Sequence, residues 1–530
     1  MKKYILRFWK PNLLIFGILV ITNVCLTLVS VIMASSLNAL VDLNFTLFFE
    51  TLLANAVIFM IYLFFSYILI NKKSQTKQKM ATAIRTDVTK RMEQTSYSNF
   101  HTKPVGTYAS WLSNDLNTIE TVAFDQFYTV LGGIISAVSS IIAMFIFHWS
   151  IVLLTLAVTI VTILLPMLYQ KVLSLVSLLV TEESERFLSK VTDTLNGFDT
   201  FFSFNLLEKI TKDMEEASLK LADVKNKQAK VIAKVALLGT FGNIVGQLSI
   251  MGLTGYLVSQ SIVSVGSILA TGELAGTIFN TVGNISQQIA AIRSVEPVFK
   301  KLETIEPSVE KSTEKIKIID SGIVLDNLSY AYDDKLVLNN LDFSFQLGGK
   351  YAIVGASGSG KTTLLNILNG KLMDYDGSVQ FAGKELSVLS GRELREYILY
   401  MDQIPYLFEG TVRENITLDE DFSNEQIQQA LKASNLDEVV RNLPQGIDTD
   451  IGDAGRLLSG GQRQRVALAR GLVRGKKIIL LDEGTSSLDE KSALEIEKQL
   501  IENEELTVLM ITHQLRESIQ KQLNQVILLS

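Results

Sequence analysis

The chain holds a single cysteine, Cys25, in 530 residues. Neither a disulfide within the chain nor a cysteine-ligated zinc site can be built from it, and its place in an apolar run reads as packing. A surplus of positive charge is also missing. The formal net charge of -6 argues against a nucleic-acid binder, which usually carries a basic domain. No internal repeat or low-complexity tract is present, so solenoid and fibrous classes drop out. What the chain does have is apolar sequence: 48% hydrophobic residues and a mean hydropathy of +0.27, the average expected of a membrane part joined to a soluble part. Its length also exceeds a single ordinary core, so at least two domains are expected.

The apolar stretches lie in the first half, at Leu13–Met33, Leu52–Ile70, Phe127–Phe147, Ile151–Leu168, Val235–Val258 and Ile262–Ile289. Each approaches the roughly 20 residues that a spanning helix needs, which gives about six spans. The last is diluted by Asn280, Asn284, Gln287 and Gln288. The first follows Lys2, Lys3, Arg7 and Lys10 but is longer than a signal h-region, so it reads as a retained helix. Ahead of it, Tyr4, Ile5, Leu6, Phe8 and Trp9 suit a segment lying along the membrane surface.

Lysine and arginine orient the bundle. They crowd the loops after the second span (Lys72 to Lys103) and the fourth (Lys190 to Lys230) and nearly vanish from the other three. By the positive-inside rule both long loops and both termini are cytoplasmic. These loops keep helical periodicity with very little proline or glycine, so the spans are expected to continue as rigid helices whose turning points can touch a soluble domain. A charged stretch, 309–317, reads as a linker between a membrane domain (1–308) and an α/β domain (318–530), where short β-branched runs alternate with helical segments.

That second domain carries a P-loop, Gly355-Ala356-Ser357-Gly358-Ser359-Gly360-Lys361-Thr362, between the strand-like Tyr351–Val354 and the helix-like Thr363–Leu368. Its glycines let backbone N–H groups face phosphate oxygens at a helix N-terminus. Lys361 is expected to reach the β- and γ-phosphates of ATP, and the Thr362 hydroxyl to ligate Mg²⁺. The run Ile478–Leu481 ends in Asp482 and Glu483, as a strand buried on both faces reads. Asp482 is placed to support the Mg²⁺ shell and Glu483 to polarise the attacking water.

Between these elements lies Leu458-Ser459-Gly460-Gly461-Gln462, and on that signature, with the P-loop before it and Asp482-Glu483 after it, the chain resembles the ATP-binding cassette (ABC) family. Ser459 with the N–H groups of Gly460 and Gly461 makes a second phosphate-binding helix N-terminus. The resemblance implies that this signature faces a partner's P-loop, so that two chains form two composite ATP sites. It further implies that Tyr332 stacks on adenine, that Gln403 contacts Mg²⁺ and the membrane domain, that Asp489 couples the two sites, and that His513 holds the γ-phosphate. Phe408–Ile416 is similar to an exporter segment, and Gly106–Glu120 and Leu195–Glu208 to the two intracellular loops of exporter-type half-transporters. Three departures stand out. Asp453 replaces a usual Glu, Gly484 and Ser487 replace two usual alanines, and the cassette ends soon after Val526–Leu529.

The implied protein is an ATP-hydrolysing half-transporter, most simply an exporter of an amphipathic or hydrophobic compound (lipid, drug or peptide) working by alternating access. An importer on the same architecture, as in metal–siderophore systems, and an ATP-binding membrane regulator are alternatives; intact Glu483, Ser459 and His513 weigh against the regulator. A chromosome-associated ATPase is rejected by the apolar first half. The expected partners are a second half-transporter, identical or different, the lipid bilayer and a transported compound, with no nucleic acid; the expected location is a bacterial plasma membrane. Asn23, Asn55, Asn243, Gln247, Asn280, Asn284, Gln287 and Gln288 either line an amide-bearing cavity or bond helix to helix, as the Gly242-x-x-x-Gly246 pattern also suggests.

Overall fold

The structure, a computed structural model, describes residues 1–305, 322–332, 335–389, 391–484, 490–512 and 515–529. The expected linker at 309–317 therefore lies outside the described residues. Two units emerge, Met1–Lys90 with Pro104–Thr304, and Arg91–Lys103 with Ile305–Ser530.

The first unit is helical: α1 (Trp9–Val41), α2 (Phe45–Glu93), α3 (Val105–Met144), α4 (Trp149–Met167), α5 (Gln170–Asn196), α6 (Leu207–Ser259) and α7 (Ser267–Ser294). Each of the six expected spans falls on one of these helices. α1, α2, α3 and α6 are long and apolar enough to cross a membrane. Trp149–Leu164 in α4 is a shorter apolar helix, and in α7 the amides lower the apolar content.

The helices do run on past the apolar stretches. α2 has 49 residues, about 74 Å at 1.5 Å per residue. Its polar half is tied to α3 by polar contacts that the apolar half could not accommodate: Lys77 forms an ion pair with Asp125, donating to both oxygens at 2.7 and 2.8 Å, and Gln78 donates a hydrogen bond to Glu120 at 2.8 Å. α3 reaches its apolar half through two π-helical stretches, Trp111–Asp115 and Ile119–Phe124, which seat Trp111, Ile119 and Phe124 in full burial. The N-terminal helix Lys2–Arg7 is pinned to the same extension, because Lys3, Tyr4 and Arg7 all donate to Asp87, at 2.9, 3.2 and 3.2 Å. Leu6 and Trp9 stay exposed, as a membrane-surface segment requires.

The helix core forms where α3, α4, α6 and α7 meet, around Met144, Ile151, Ile250, Leu274, Ile278 and Phe279. Gly242 and Gly246 are buried there. A Cβ on Gly246 would lie 2.6 Å from the Phe279 ring and 2.8 Å from Val158, so the small residue sets how closely α6 approaches its neighbours. One amide pair bonds helix to helix as well: Asn243 of α6 donates to Asn280 of α7 at 2.6 Å, while within α6 Gln247 donates to Asn243 at 2.8 Å. By contrast α2 exposes Leu53, Met60, Leu63, Phe64 and Tyr67, apolar surface suited to hydrocarbon.

The second unit holds two sheets. An antiparallel sheet runs β2-β1-β4-β5, from β1 (Ile323–Tyr332), β2 (Lys335–Phe345), β4 (Asp376–Phe381) and β5 (Lys384–Glu385). A parallel sheet runs β6-β7-β8-β3-β9, from β3 (Lys350–Gly355), β6 (Ile398–Met401), β7 (Ile478–Asp482), β8 (Thr507–Ile511) and β9 (Gln525–Leu529). Residues 478–481 and the whole of β8 are buried, which is why both read as unbroken apolar runs. Helix α8 (Lys361–Leu368) follows β3, and α9 (Asn424–Ala433) and α10 (Gly460–Leu472) build a helical layer around Leu431, Val466 and Ala469. The turn of the first long loop, between α2 and α3, with its short helix Tyr97–His101 capped by Ser96, belongs to this second unit. That of the second loop, Phe198–Ser203, belongs to the first.

Gly246→Val should lower the stability of the full chain in detergent by about 1–3 kcal/mol, the usual cost of overpacking. A thermal midpoint equal to wild type would show that α6 is not held at contact distance here.

Candidate functional site

Parallel sheets place their ligands at the C-terminal ends of the strands, and the expected residues gather at the ends of β3 and β7. The loop after β3 is crowded. A Cβ on Gly355 would meet the Leu529 carbonyl oxygen at 2.2 Å, and one on Gly360 the Leu338 side chain at 2.6 Å. Gly358 and Gly360 also take φ of 84° and 88°, a region that favours glycine. The result is a tight cradle whose floor is α8, with the N–H groups of its first turn free of helical partners.

Lys361 is buried, and its ammonium donates to the carbonyls of Gly355 at 3.0 Å and Ala356 at 2.8 Å. It thus lies folded across the loop it belongs to. The Ser359 hydroxyl is buried with no hydrogen-bond partner among the described residues, an orphan that a phosphate oxygen would satisfy. Ala356, Ser357 and Gly358 are exposed on the rim, and Thr363 is buried behind them. The donor set fits a polyphosphate.

Thr362 and Asp482 meet across the sheet, with Thr362 Oγ1 donating to Asp482 Oδ1 at 3.1 Å. The other carboxylate oxygen accepts from the Tyr400 hydroxyl at 2.7 Å. Both oxygens are therefore held. A hydroxyl beside a carboxylate is the hard oxygen pair that Mg²⁺ takes from a protein when phosphates complete its shell. Glu483, next along, adopts φ 51°, an uncommon left-handed backbone for a non-glycine residue and one that recurs at active sites. Gly484 then packs so closely that a Cβ would stand 2.3 Å from Leu481 Cδ1, a local reason for the missing alanine methyl.

The signature serine starts α10. Ser459 Oγ accepts from the Gln462 N–H at 3.3 Å, and Gln462 Oε1 accepts from the Ser459 N–H at 2.9 Å, a reciprocal capping box. The cap uses a lone pair and leaves the hydroxyl proton available. Gly460 and Gly461 form the first turn. Gln403 is exposed, and its carbonyl accepts from Gln464 at 3.3 Å. Tyr332, at the end of β1, is 47% exposed and packs edge-on against Tyr330 at 5.0 Å, which leaves a ring face for a planar ligand. Asp489, His513 and Ser487 lie outside the described residues.

Three further residues complete the surroundings. Tyr400 holds Asp482, as described. Asn415 is fully buried, donating to the carbonyls of Phe408 and Thr411 at 2.9 and 3.1 Å and accepting from the Phe408 N–H at 2.8 Å, so it staples the segment after Gln403. Arg470 of α10 donates to the carbonyls of Asn415 and Tyr406 at 2.8 and 3.1 Å. Burial first, and Arg474 nearby, push its guanidinium down to about 10, so it stays charged at neutral pH. Asn415 could be suspected from its place in the exporter-like segment; Tyr400 and Arg470 carry no sequence signal of their own.

The description "ABC transporter transmembrane region" matches residues 13–282, more than half of the chain. The chain belongs to the ABC transporter family. The ABC transporter cassette itself matches 338–486. Among similar proteins, the ATP-dependent lipid A-core flippase of Syntrophus aciditrophicus is 27% identical over 83% of this chain and 74% of its own length. An uncharacterized ABC transporter ATP-binding protein of Bacillus subtilis, YwjA, is 28% identical over 82% and 77%. A bacterial Atm1-family ABC exporter with ATP bound shares the fold with a TM-score of 0.82 at 20% identity, over 99% of this chain and 94% of that one. The protein is thus a multi-pass, ATP-binding half-transporter whose cassette drives transport by hydrolysis, and it works with a second half-transporter.

Ser459→Ala removes the cap of α10 and should cost about 1 kcal/mol of stability, read as a lowered denaturation midpoint. An unchanged midpoint would mean that the cap is not what holds this turn.

Proposed function

We propose that this half-transporter moves an amphipathic or hydrophobic compound of the lipid, drug or peptide class out of the cytoplasm of a bacterium, with both termini and the cassette on the cytoplasmic side. The observation that carries the hydrolytic part is the Thr362–Asp482 bond beside the buried Lys361, since it assembles the parts that phosphoryl transfer uses. Lipids are favoured among substrates because relatives named lipid A-core flippases recur, and because the helices expose apolar rather than charged surface.

In this reading the Lys361 ammonium leaves the two loop carbonyls for β- and γ-phosphate oxygens, and the loop N–H groups from Gly355 to Thr363 cradle the remainder. Thr362, Asp482 and Gln403 would hold a magnesium ion, which supplies neutralisation of phosphate charge. Glu483 orients and polarises the attacking water, with His513 and Asp489 assigned from their motifs. Tyr332 stacks on adenine. Ser459 and the Gly460 and Gly461 N–H groups, with Gln462 as their brace, meet the nucleotide bound to the partner half. Two nucleotides therefore hold the cassettes together and hydrolysis releases them, so the bundle alternates between its two openings.

Glu483→Gln should bind ATP with wild-type affinity while steady-state turnover drops at least about a hundredfold, the scale of losing a positioned general base; unimpaired hydrolysis would sink the role. Lys361→Ala should weaken nucleotide affinity about tenfold or more, equal to ~1.4 kcal/mol, in a fluorescent-nucleotide titration. For the substrate class, ATP-dependent movement of labelled lipid in proteoliposomes is the expected result. Stimulation only by a water-soluble cargo would overturn the lipid assignment.

A further inference from the structure

Asp482 is connected outward as well as to the P-loop. Its Oδ2 accepts from the Tyr400 hydroxyl at 2.7 Å, a charge-assisted bond. The Lys371 ammonium lies over the Tyr400 ring, 3.6 Å from its centroid, and 5.0 Å from the centroid of Tyr97. Tyr97 opens the short helix Tyr97–His101 of the first cytoplasmic loop. The His101 ring also stacks on Tyr97, at 4.0 Å between centroids.

Each link is anchored in a rigid element. Lys371 leaves α8 through Gly370, at φ 70°, and its N–H bonds back to the Asn366 carbonyl at 2.9 Å. Tyr400 sits in β6, paired in register with Leu480 of β7, two residues before Asp482. Lys371 is half-buried, which favours its neutral form, and the charges of Asp402 and Asp482 oppose this only in part. An ammonium with little water and two aromatic faces depends on those faces more than an exposed lysine does. The Tyr400 phenol is pushed upward by burial and then by its bond to Asp482, so it remains a donor at any physiological pH. From Thr362 to Tyr97 there is thus an unbroken chain of polar and cation–π contacts, and Gln403 is not part of it.

We propose that Tyr400 and Lys371 are positioning residues that transmit the state of the Thr362–Asp482 pair to Tyr97, a second connection from the nucleotide site to the cytoplasmic loop beside the one through Gln403. It rests on the reading of Asp482 as a carboxylate of the nucleotide site. When phosphate and metal charge gathers at Thr362 and Asp482, the carboxylate's bond to Tyr400 weakens or shifts. The ring beneath Lys371 then moves, and the ammonium alters its hold on Tyr97.

The test is hydrogen–deuterium exchange of segment 97–101 in the full chain, assembled in nanodiscs with its partner half, with and without magnesium and the ATP analogue AMP-PNP. Wild type should show a nucleotide-dependent change of about fivefold or more, the low end of ordinary site-to-site coupling. Tyr400→Phe keeps the ring but removes the bond to Asp482, and Lys371→Gln removes the cation. Lys371→Gln should bind AMP-PNP within about twofold of wild type yet lose the response, and Tyr400→Phe should lose it as well when measured at saturating AMP-PNP. A merely structural role would raise exchange equally with and without nucleotide and leave the response intact; that result overturns the proposal, as does a wild type with no response. Magnesium dependence of AMP-PNP affinity in Asp482→Asn keeps the two readings apart. If that dependence survives, the metal assignment fails, and the relay stands or falls on the exchange data alone.

Discussion

Thr362 lies in the first turn of the helix that follows β3, and Asp482 is the last residue of β7, two strands that do not touch. β8 lies between β3 and β7, so the hydrogen bond from the Thr362 hydroxyl to the carboxylate closes the mouth of the parallel sheet over a gap of one strand. The bond ties the helix after the P-loop to the end of β7, one residue before Glu483. It holds because the sheet beneath is rigid: residues 478–481 and all of β8 are buried, and a close-packed interior of this kind fixes strand ends to within a fraction of an ångström.

The membrane unit obeys a different constraint. Backbone groups in hydrocarbon have no water to bond, so the chain satisfies them within helices, and what remains to decide is how the helices meet. Glycine at 246 and the bond between Asn243 and Asn280 decide it at α6, α7 and α4. The polar extension of α2 is fixed by charge instead, through Lys77 with Asp125 and through Asp87 with Lys3 and Arg7. A single helix thus changes its means of attachment as its surroundings change from lipid to water.

Much of this was legible in the sequence because the chemistry demands contiguous residues. A phosphate cradle must be a short run, so Gly355–Thr362 announces itself, and a strand buried on both faces must be apolar throughout, so Ile478–Leu481 does too. Contacts between distant positions leave no such trace. Tyr400, Lys371 and Tyr97 are separated in sequence and look like a strand aromatic, a turn lysine and a loop tyrosine, and only the fold brings them together. Arg470 reads as one more helix arginine until its burial against Asn415 and Tyr406 is seen. Among the amides of α6 and α7, Asn243 and Asn280 bond one helix to the other across 37 positions of sequence, a pairing that leaves no local trace. The N-terminal aromatic and basic residues suggested a membrane-surface segment, whereas their attachment to Asp87 depends on a partner 80 or more positions away.

The capping box at Ser459 has a further consequence for assembly. Because Gln462 already fixes the serine's backbone and the hydroxyl's acceptor side, the turn proposed to meet the partner's nucleotide is shaped within the single chain. Its ordering entropy is spent once, when the chain folds, and not at each encounter of the two halves. In the proposed cycle the signature would act as a rigid die, pressed against phosphate and lifted away without being reshaped.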